Sequence, residues 1–226
     1  MAEPSTRTVE RALALLATIC ERGGVNLVDS ARDCELAPST ALRLLRTLET
    51  TGFVSKDESG IYRPGSRIIQ LGAQALSDVS LIDLSREAME ELATKTGESV
   101  YLSVEGHAAT ALYISIVEGT HSVRHASWVG RTVPLETSAA GHALRGKVPD
   151  DGYVVVERGV ETDVTAIACP VYSQARIVAA LSLVIPSYRL TASQAKRYGA
   201  MLVTATADVS ARLSSSPKSS LPQGQS

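Results

Sequence analysis

No stretch of this 226-residue chain approaches the roughly eighteen consecutive apolar residues that a membrane-spanning helix needs, so no membrane partner is expected. The opening residues, Met1-Ala2-Glu3-Pro4-Ser5, have neither the basic start nor the apolar run of a secretory signal. Cysteine is scarce. Cys20, Cys34 and Cys169 are odd in number and far apart, which excludes a disulfide framework and a zinc-ligand spacing. A reducing cytoplasm is the simple inference, and neither metal nor cofactor is expected. An excess of one charge is lacking too: 22 Lys and Arg stand against 24 Asp and Glu, a formal net charge of −2. The molecule as a whole is therefore no general polyanion binder, and any DNA contact has to come from a local face. There are no internal repeats. The chain is 44% hydrophobic and long enough for one large domain or two modest ones.

Residues 27–63 organise what is present. A short helix is expected over 26–34, then the turn Glu35-Leu36-Ala37-Pro38, then a second helix from Pro38 or Ser39 to Gly52. In the second helix Ala41, Leu44, Leu45 and Leu48 recur at i, i+3, i+4 and i+7, one face of a helix. The other face carries Ser39, Arg43, Arg46, Thr47 and Thr50, types that reach phosphates and base edges without unpacking a core. Pro38 suits a first helical turn, and the hydroxyls of Ser39 and Thr40 can satisfy N–H groups there. Phe53-Val54-Ser55-Lys56 and Ile61-Tyr62-Arg63 flank Asp57-Glu58-Ser59-Gly60, a strand, turn and strand. Lys56 and Arg63 stand at the ends of this ribbon, placed for a DNA backbone. The layout is that of a winged helix-turn-helix. Two helices and a hairpin also make a plain structural subdomain, and the 37–67 window, at only +2, is a weak electrostatic footprint.

Around this core, residues 6–21 form a first helix with the stripe Val9, Ala12, Leu13, Leu16 and Ile19, ended by Gly23-Gly24. Cys20 beside that stripe reads as a small core residue. A helical pattern follows Pro64-Gly65-Ser66, residues 77–80 form a join, and 81–96 make another helix. From Glu98 the period changes from helical to alternating: Val100, Leu102 and Val104 against Tyr101, Ser103 and Glu105, then Leu112, Ile114 and Ile116 against Tyr113 and Ser115. Further strands are expected over 122–129, 152–157, 164–171 and 177–185, with a short helix over 137–145. Ile177 to Ile185 is apolar on both faces, hence a central strand covered twice. Thr191 caps a last helix whose inward residues are Ala195, Tyr198, Leu202, Ala205, Val209 and Leu213. The predicted fold class is α+β. Residues 1–76 form a winged helix-turn-helix, 77–213 a linker helix and an antiparallel sheet able to hold a small-molecule pocket, and 214–226 a disordered tail.

Several stretches resemble the IclR-type transcriptional regulators. Thr8-Val9-Glu10-Arg11-Ala12-Leu13-Ala14-Leu15-Leu16 is similar to that family's opening helix, and Ser39-Thr40-Ala41-Leu42-Arg43-Leu44-Leu45 to its recognition helix. Gly60 to Arg67 resembles its wing. Val133-Pro134-Leu135, Ser138 to Leu144, Gly152-Tyr153, Thr165 to Val171 and Val178 to Leu183 follow in the family's order. The resemblance implies a GAF-like effector domain, operator binding to double-stranded DNA as a homodimer or tetramer, and control by a small metabolite. Carried over by position, the DNA face is Ser39, Thr40, Arg43, Arg46 and Thr47 with Lys56 and Arg63. The effector pocket is Ser122, His125, Val133, Ala139, Ala140, Val156, Ala166, Ser182 and Val184. Pro38 stands where members often have Lys, and Leu42 where they often have His or Tyr. Val156 replaces a common Asp, Ala166 a common Cys and Val184 a common Ser. A pocket stripped of polar groups favours an apolar or aromatic ligand over a small keto acid. Gly146 to Asp151 stands where members carry a longer insertion.

Individual residues leave two readings each. His125 is a donor to an effector carboxylate or a strand-edge histidine bonded to backbone. Trp128 is a lid or a dimer anchor, with the interface favoured. Ser182 is a pocket hydroxyl or one bonded to the main chain. Cys169, with no neighbouring Lys or Arg, reads as a buried strand thiol rather than a redox sensor. Ser138 and His142 have the i, i+4 spacing of a nucleophile and base, but no acid orients the imidazole and no nucleophile elbow surrounds the serine, so catalysis is not expected. The function read from the chain is a ligand-modulated DNA-binding regulator. The competing readings are a small-molecule enzyme or a sensing module that uses the sheet alone.

Overall fold

The computed structural model describes residues 6–77, 81–125 and 127–215, and the chain forms two compact units, Met1–Asp78 and Val79–Ser226. The stretch from 216, part of the expected disordered tail, and most of the expected join at 77–80 lie outside the described residues.

The first unit runs α1 (Arg7–Arg22), α2 (Leu27–Asp33), α3 (Pro38–Thr50), β1 (Val54–Lys56), β2 (Tyr62–Pro64) and α4 (Ser66–Ser77). Its core is Leu15, Ile19, Val25, Ala31, Ala41, Leu44, Leu45, Leu48, Val54 and Tyr62. Each large aliphatic side chain buried there contributes about 1.5–3 kcal/mol relative to exposure. The spacing of Ala41, Leu44, Leu45 and Leu48 thus does what the sequence predicts: it pins α3 by one face and leaves the other outside. Asn26 caps α2 by accepting from the Asp29 N–H at 2.8 Å. The ribbon β1–β2 is antiparallel, and Val25 bridges to Tyr62, tying the wing back to the end of α1. Gly65 is required for the exit from the wing, because a Cβ there would lie 2.1 Å from the Gly52 carbonyl oxygen.

Three expectations for this unit are corrected. The inward side of α1 is Leu15 and Ile19, while Val9 and Leu13 are more than half exposed. The helix is apolar on two sides, so the five-residue stripe spans both. Cys20 is exposed on the outer side, not in the core. The hydroxyls of Ser39 and Thr40 do not cap α3: Ala37 is the N-cap, with no side-chain bond, and Pro38 starts the helix.

The second unit holds α5 (Leu81–Thr96), β3 (Ser99–Glu105), β4 (Thr110–Val117), β5 (Thr132–Pro134), α6 (Ala139–Leu144), β6 (Val154–Glu157), β7 (Val164–Ser173), β8 (Arg176–Pro186), a 3-10 turn (Ser187–Arg189) and α7 (Ala192–Ser215). Its six strands form one antiparallel sheet in the order β5-β4-β3-β8-β7-β6. On one face Val100, Leu102, Ile167, Val171, Leu181, Leu183 and Ile185 pack against Met89 and Leu92 of α5 and Tyr198, Leu202 and Val209 of α7. On the other, Tyr101, Ala111, Tyr113, Ala168, Ala180 and Val184 meet α6 and Val133 and Leu135. That two-sided cover is why β8 carries no polar alternation apart from Ser182. Thr191 starts α7 through a reciprocal box with Gln194: the Gln194 N–H donates to the Thr191 hydroxyl at 3.3 Å, and the Thr191 N–H to Gln194 Oε1 at 2.9 Å.

The strand expected over 122–129 does not form. The edge partner of β4 is β5, beginning at Thr132. The described residues between β4 and β5 are instead a loop held by side chains, with Gly130 in the left-handed region (φ 85°). At the far end, Ser214 and Ser215 continue α7 rather than joining a tail.

Candidate functional site

Helix α3 presents Ser39, Arg43, Arg46 and Thr47 to solvent and Thr40 half-buried. Among the described residues, Arg43 and Arg46 make no ion pair or side-chain hydrogen bond. The Thr47 hydroxyl donates to the Arg43 carbonyl at 3.2 Å and that of Thr50 to Arg46 at 2.8 Å, leaving their lone pairs outward. No acidic residue lies in the first turn of α3. On the wing, Lys56 Nζ stands 5.3 Å from the centre of the Tyr62 ring. Arg63, expected from the sequence to be placed for a DNA backbone, is already committed within the unit. It donates to Asp57 Oδ2 at 3.1 Å and to the Gly23 carbonyl at 3.3 Å. Asp57 organises the turn, accepting from the Ser59 hydroxyl and the N–H groups of Ser59 and Ile61. Those bonds, with the Arg63 guanidinium, hold its carboxyl below the usual range.

The sheet unit contains a small cavity of about 30 Å³ between α6, the sheet and two loops. The expected pocket residues His125, Ala139, Val156, Ala166 and Val184 line it. Val133 and Ala140 are buried in the apolar layer that includes Val184. Ser182 is buried one row behind: it pairs with Ala168 and Tyr101, while Val184 pairs with Ala166. The Ser182 hydroxyl has no hydrogen-bond partner among the described residues, so the expected bond to the main chain is not made. Ser122 is exposed on the loop and does not line the cavity. Tyr113, Ser138, Gly159, Val160, Glu161 and Val164 line it without having been singled out as pocket residues. Tyr113 was legible, since the alternation places it on the face of β4 that Tyr101 shares on β3. The 158–163 loop carries no periodic signal, and only the folded chain brings it over the cavity.

The lid is built from β3. The Ser99 hydroxyl accepts from the Gly119 N–H at 3.1 Å and donates to the His125 carbonyl at 3.3 Å. The Tyr101 hydroxyl is 2.7 Å from His125 Nδ1, and His125 Nε2 is 3.0 Å from Glu161 Oε2. Trp128 packs edge-on against His125, its ring centre 4.9 Å away. It lines the cavity, which favours the lid over the interface anchor. Burial pushes the Tyr113 phenol up to about 12, with the charge of Glu161 adding to it, and raises Tyr101 further still. Below the loop, Arg189 grips Glu98 with two bonds of 2.8 Å and donates to the Val123 carbonyl at 2.9 Å. The Glu98 side chain is buried, and this clasp fixes the loop to the start of α7.

Ser138 and His142 do not meet. The Ser138 hydroxyl donates to the Pro134 carbonyl at 2.6 Å and caps α6 at the Gly141 N–H, while His142 Nε2 donates to the Glu136 carbonyl at 2.7 Å. Cys169 is buried against Thr206 and Gly152, and burial raises its thiol. Among the described residues no cluster of His, Cys, Asp and Glu could hold a metal ion, and no helix is long and apolar enough to cross a membrane.

Comparison with known proteins agrees with both halves. The family model described as IclR helix-turn-helix domain matches residues 8–58. The one described as Bacterial transcriptional regulator IclR C-terminal matches 73–151 and 146–211, two pieces that meet at the short connection between α6 and β6. The HTH-type transcriptional regulator KdgR of Escherichia coli is 25% identical, over 92% of this chain and 93% of its own. The transcriptional repressor IclR of Escherichia coli is 30% identical over 66% of this chain and 56% of its own. Among solved structures, an IclR homologue from Microbacterium hydrocarbonoxydans complexed with 4-hydroxybenzoate superposes with a TM-score of 0.77 at 21% identity, covering 92% of this chain and all of that one. The IclR transcriptional regulator of Alicyclobacillus acidocaldarius gives 0.77 at 23%, covering 93% of this chain and all of its own. The chain therefore belongs to the IclR family of bacterial transcriptional regulators, a DNA-binding helix-turn-helix unit followed by an effector-binding sheet unit.

Proposed function

We propose that residues 1–76 read operator DNA through α3 and that residues 77–213 sense an apolar or aromatic metabolite in the cavity beneath Trp128. The observation that carries the DNA half is the pair Arg43 and Arg46, exposed and unpaired on the face of α3 opposite its buried leucines. Ser39, Thr40 and Thr47 add hydroxyls to that face. Lys56 extends it along the wing, and Arg63, already bound to Asp57, braces the wing more than it grips phosphate. The protein acts in the cytoplasm, where its DNA is.

Operator reading at half-sites about 34 Å apart requires two such faces. We assign the pairing to the outer side of α1 and α4. Leu13, Leu16, Ala17, Cys20, Phe53, Ile68, Leu71 and Gly72 line an open apolar groove of about 490 Å³ there. Val9, Leu13 and Ile69 add exposed apolar surface beside it. A second copy of the chain is the occupant argued for this face, since contiguous exposed apolar surface marks an association site and a two-fold pairing covers the same patch on both copies. Leu13→Glu is expected to shift sedimentation toward the monomer. A dimer or tetramer unchanged by it removes this face from the assembly.

The ligand half rests on the lining. Val156, Val160, Val164, Ala166 and Val184 surround the space, and a ligand's polar groups would find few partners among them. The solved neighbour from Microbacterium is complexed with 4-hydroxybenzoate, an aromatic molecule, which supports the aromatic part of this reading. Ligand binding shifts the population between dimers that are competent and incompetent for DNA. Arg43→Ala is the test. It should abolish or weaken binding to a duplex taken from beside the protein's own gene while leaving the thermal midpoint and its ligand response intact. Unchanged DNA affinity would reject the face. Calorimetry with glyoxylate and pyruvate should show no binding, and tight binding of either would reject the apolar pocket.

A further inference from the structure

The cavity has one full charge in its lining, and it is negative. Glu161, on the loop between β6 and β7, places Oε2 3.0 Å from His125 Nε2, and the Tyr101 hydroxyl stands 2.7 Å from Nδ1. A neutral imidazole satisfies both neighbours in one tautomer: the Tyr101 O–H donates to Nδ1, and the Nε2–H donates to Glu161. Glu161 Oε1 has no partner among the described residues. No Lys or Arg lines the cavity among the described residues. Arg124 lines the adjoining outer depression, but its guanidinium is held by Glu118 at 2.9 Å, and Asp163 shares that depression. Arg131 lies over the Trp128 ring, 5.4 Å from its centre, and lines neither space. The Ser138 hydroxyl is committed to the Pro134 carbonyl and the Gly141 N–H.

Geometry gives Glu161 a second role. The inner cavity of about 30 Å³ and the outer depression of about 250 Å³ share His125, Trp128, Glu161 and Val164. The His125–Glu161 hydrogen bond therefore stands at their junction. Alone the inner space holds little more than a water molecule. Trp128 and Val164 line the same boundary.

We propose that Glu161 sets the charge class of the effector: the site takes an uncharged or cationic aromatic bearing a hydroxyl or amino donor, and rejects carboxylic acids. The ligand's donor replaces the His125 N–H on Glu161 and opens the junction as it binds. A carboxylate brought to the same place meets the Glu161 carboxylate with no Lys or Arg in the lining to offset the repulsion, in surroundings drier than bulk water. This rests on the reading of the cavity as the effector site.

The test is calorimetry on the full-length protein with two probes of similar shape, 4-methylphenol and 4-methylbenzoate. The wild type should bind the phenol at least about tenfold more tightly, given the like-charge contact the acid would make. Glu161→Gln keeps the size and an acceptor for His125 but removes the charge, and it should narrow or reverse that ratio by at least about tenfold. A wild type that prefers the acid, or a ratio that Glu161→Gln leaves unchanged, overturns the charge selection while leaving the cavity an effector site. Binding of neither probe by either protein overturns both.

Discussion

The two units put their working residues in opposite places. In the helix-turn-helix unit the core is the inner side of α3, and the proposed DNA face is the side left over. In the sheet unit the candidate ligand space is inside, covered by loops that are themselves pinned by buried polar groups. An outward site tolerates substitution and depends on free charge. An inward one depends on packing, and each polar atom in it has to be matched.

The contrast can be broken first at α6. Gly141→Val would place a Cβ about 2.3 Å from the backbone of Leu135. It is expected to cost about 3 kcal/mol or more in urea unfolding, the size of severe overpacking. An unchanged midpoint would show that α6 is not seated as described. Next is the loop clasp. Glu98→Ala leaves the Arg189 guanidinium with the Val123 carbonyl alone, a loss of about 2–3 kcal/mol, somewhat under the range for a wholly buried pair because Arg189 is partly exposed. No loss in the same unfolding assay would mean the clasp contributes nothing.

On the outward site the expected effects fall on function and not on stability. Arg43→Ala should weaken operator binding by about tenfold or more, whereas Arg63→Ala, already paired with Asp57, should cost about threefold or less. Anisotropy titrations that rank them in reverse would move the DNA contact from the helix to the wing. The smallest effects sharpen the comparison through sign. Ser182→Ala removes a buried hydroxyl without a partner and should be neutral or stabilising by up to about 1 kcal/mol. Ser138→Ala removes the cap of α6 and should cost about 1 kcal/mol. Equal thermal shifts for the two serines would contradict the hydrogen-bond assignment.

The same contrast decides what was legible beforehand. Ala41, Leu44, Leu45 and Leu48 announce the inner face of α3 by spacing alone, so Arg43 and Arg46 follow by subtraction. Alternation over 99–116 likewise separates Tyr101 and Tyr113 from Leu102. It fails over 122–129, where Ser99, Tyr101 and Arg189 hold the chain by side chains instead of a strand ladder. Glu161 was invisible for the same reason: a loop residue acquires its meaning from His125, 36 positions away. The stripe on α1 misled because that helix has two apolar sides, one covered by its own unit and one left open.

Salt dependence of operator binding is the most direct test of the DNA face. For the wild type, log affinity should fall steeply with log salt. In Arg43→Ala/Arg46→Ala the slope should flatten by about one for each phosphate contact removed, counted over both protomers. A double variant with the wild-type slope and affinity would contradict the assignment of the outer side of α3 to DNA.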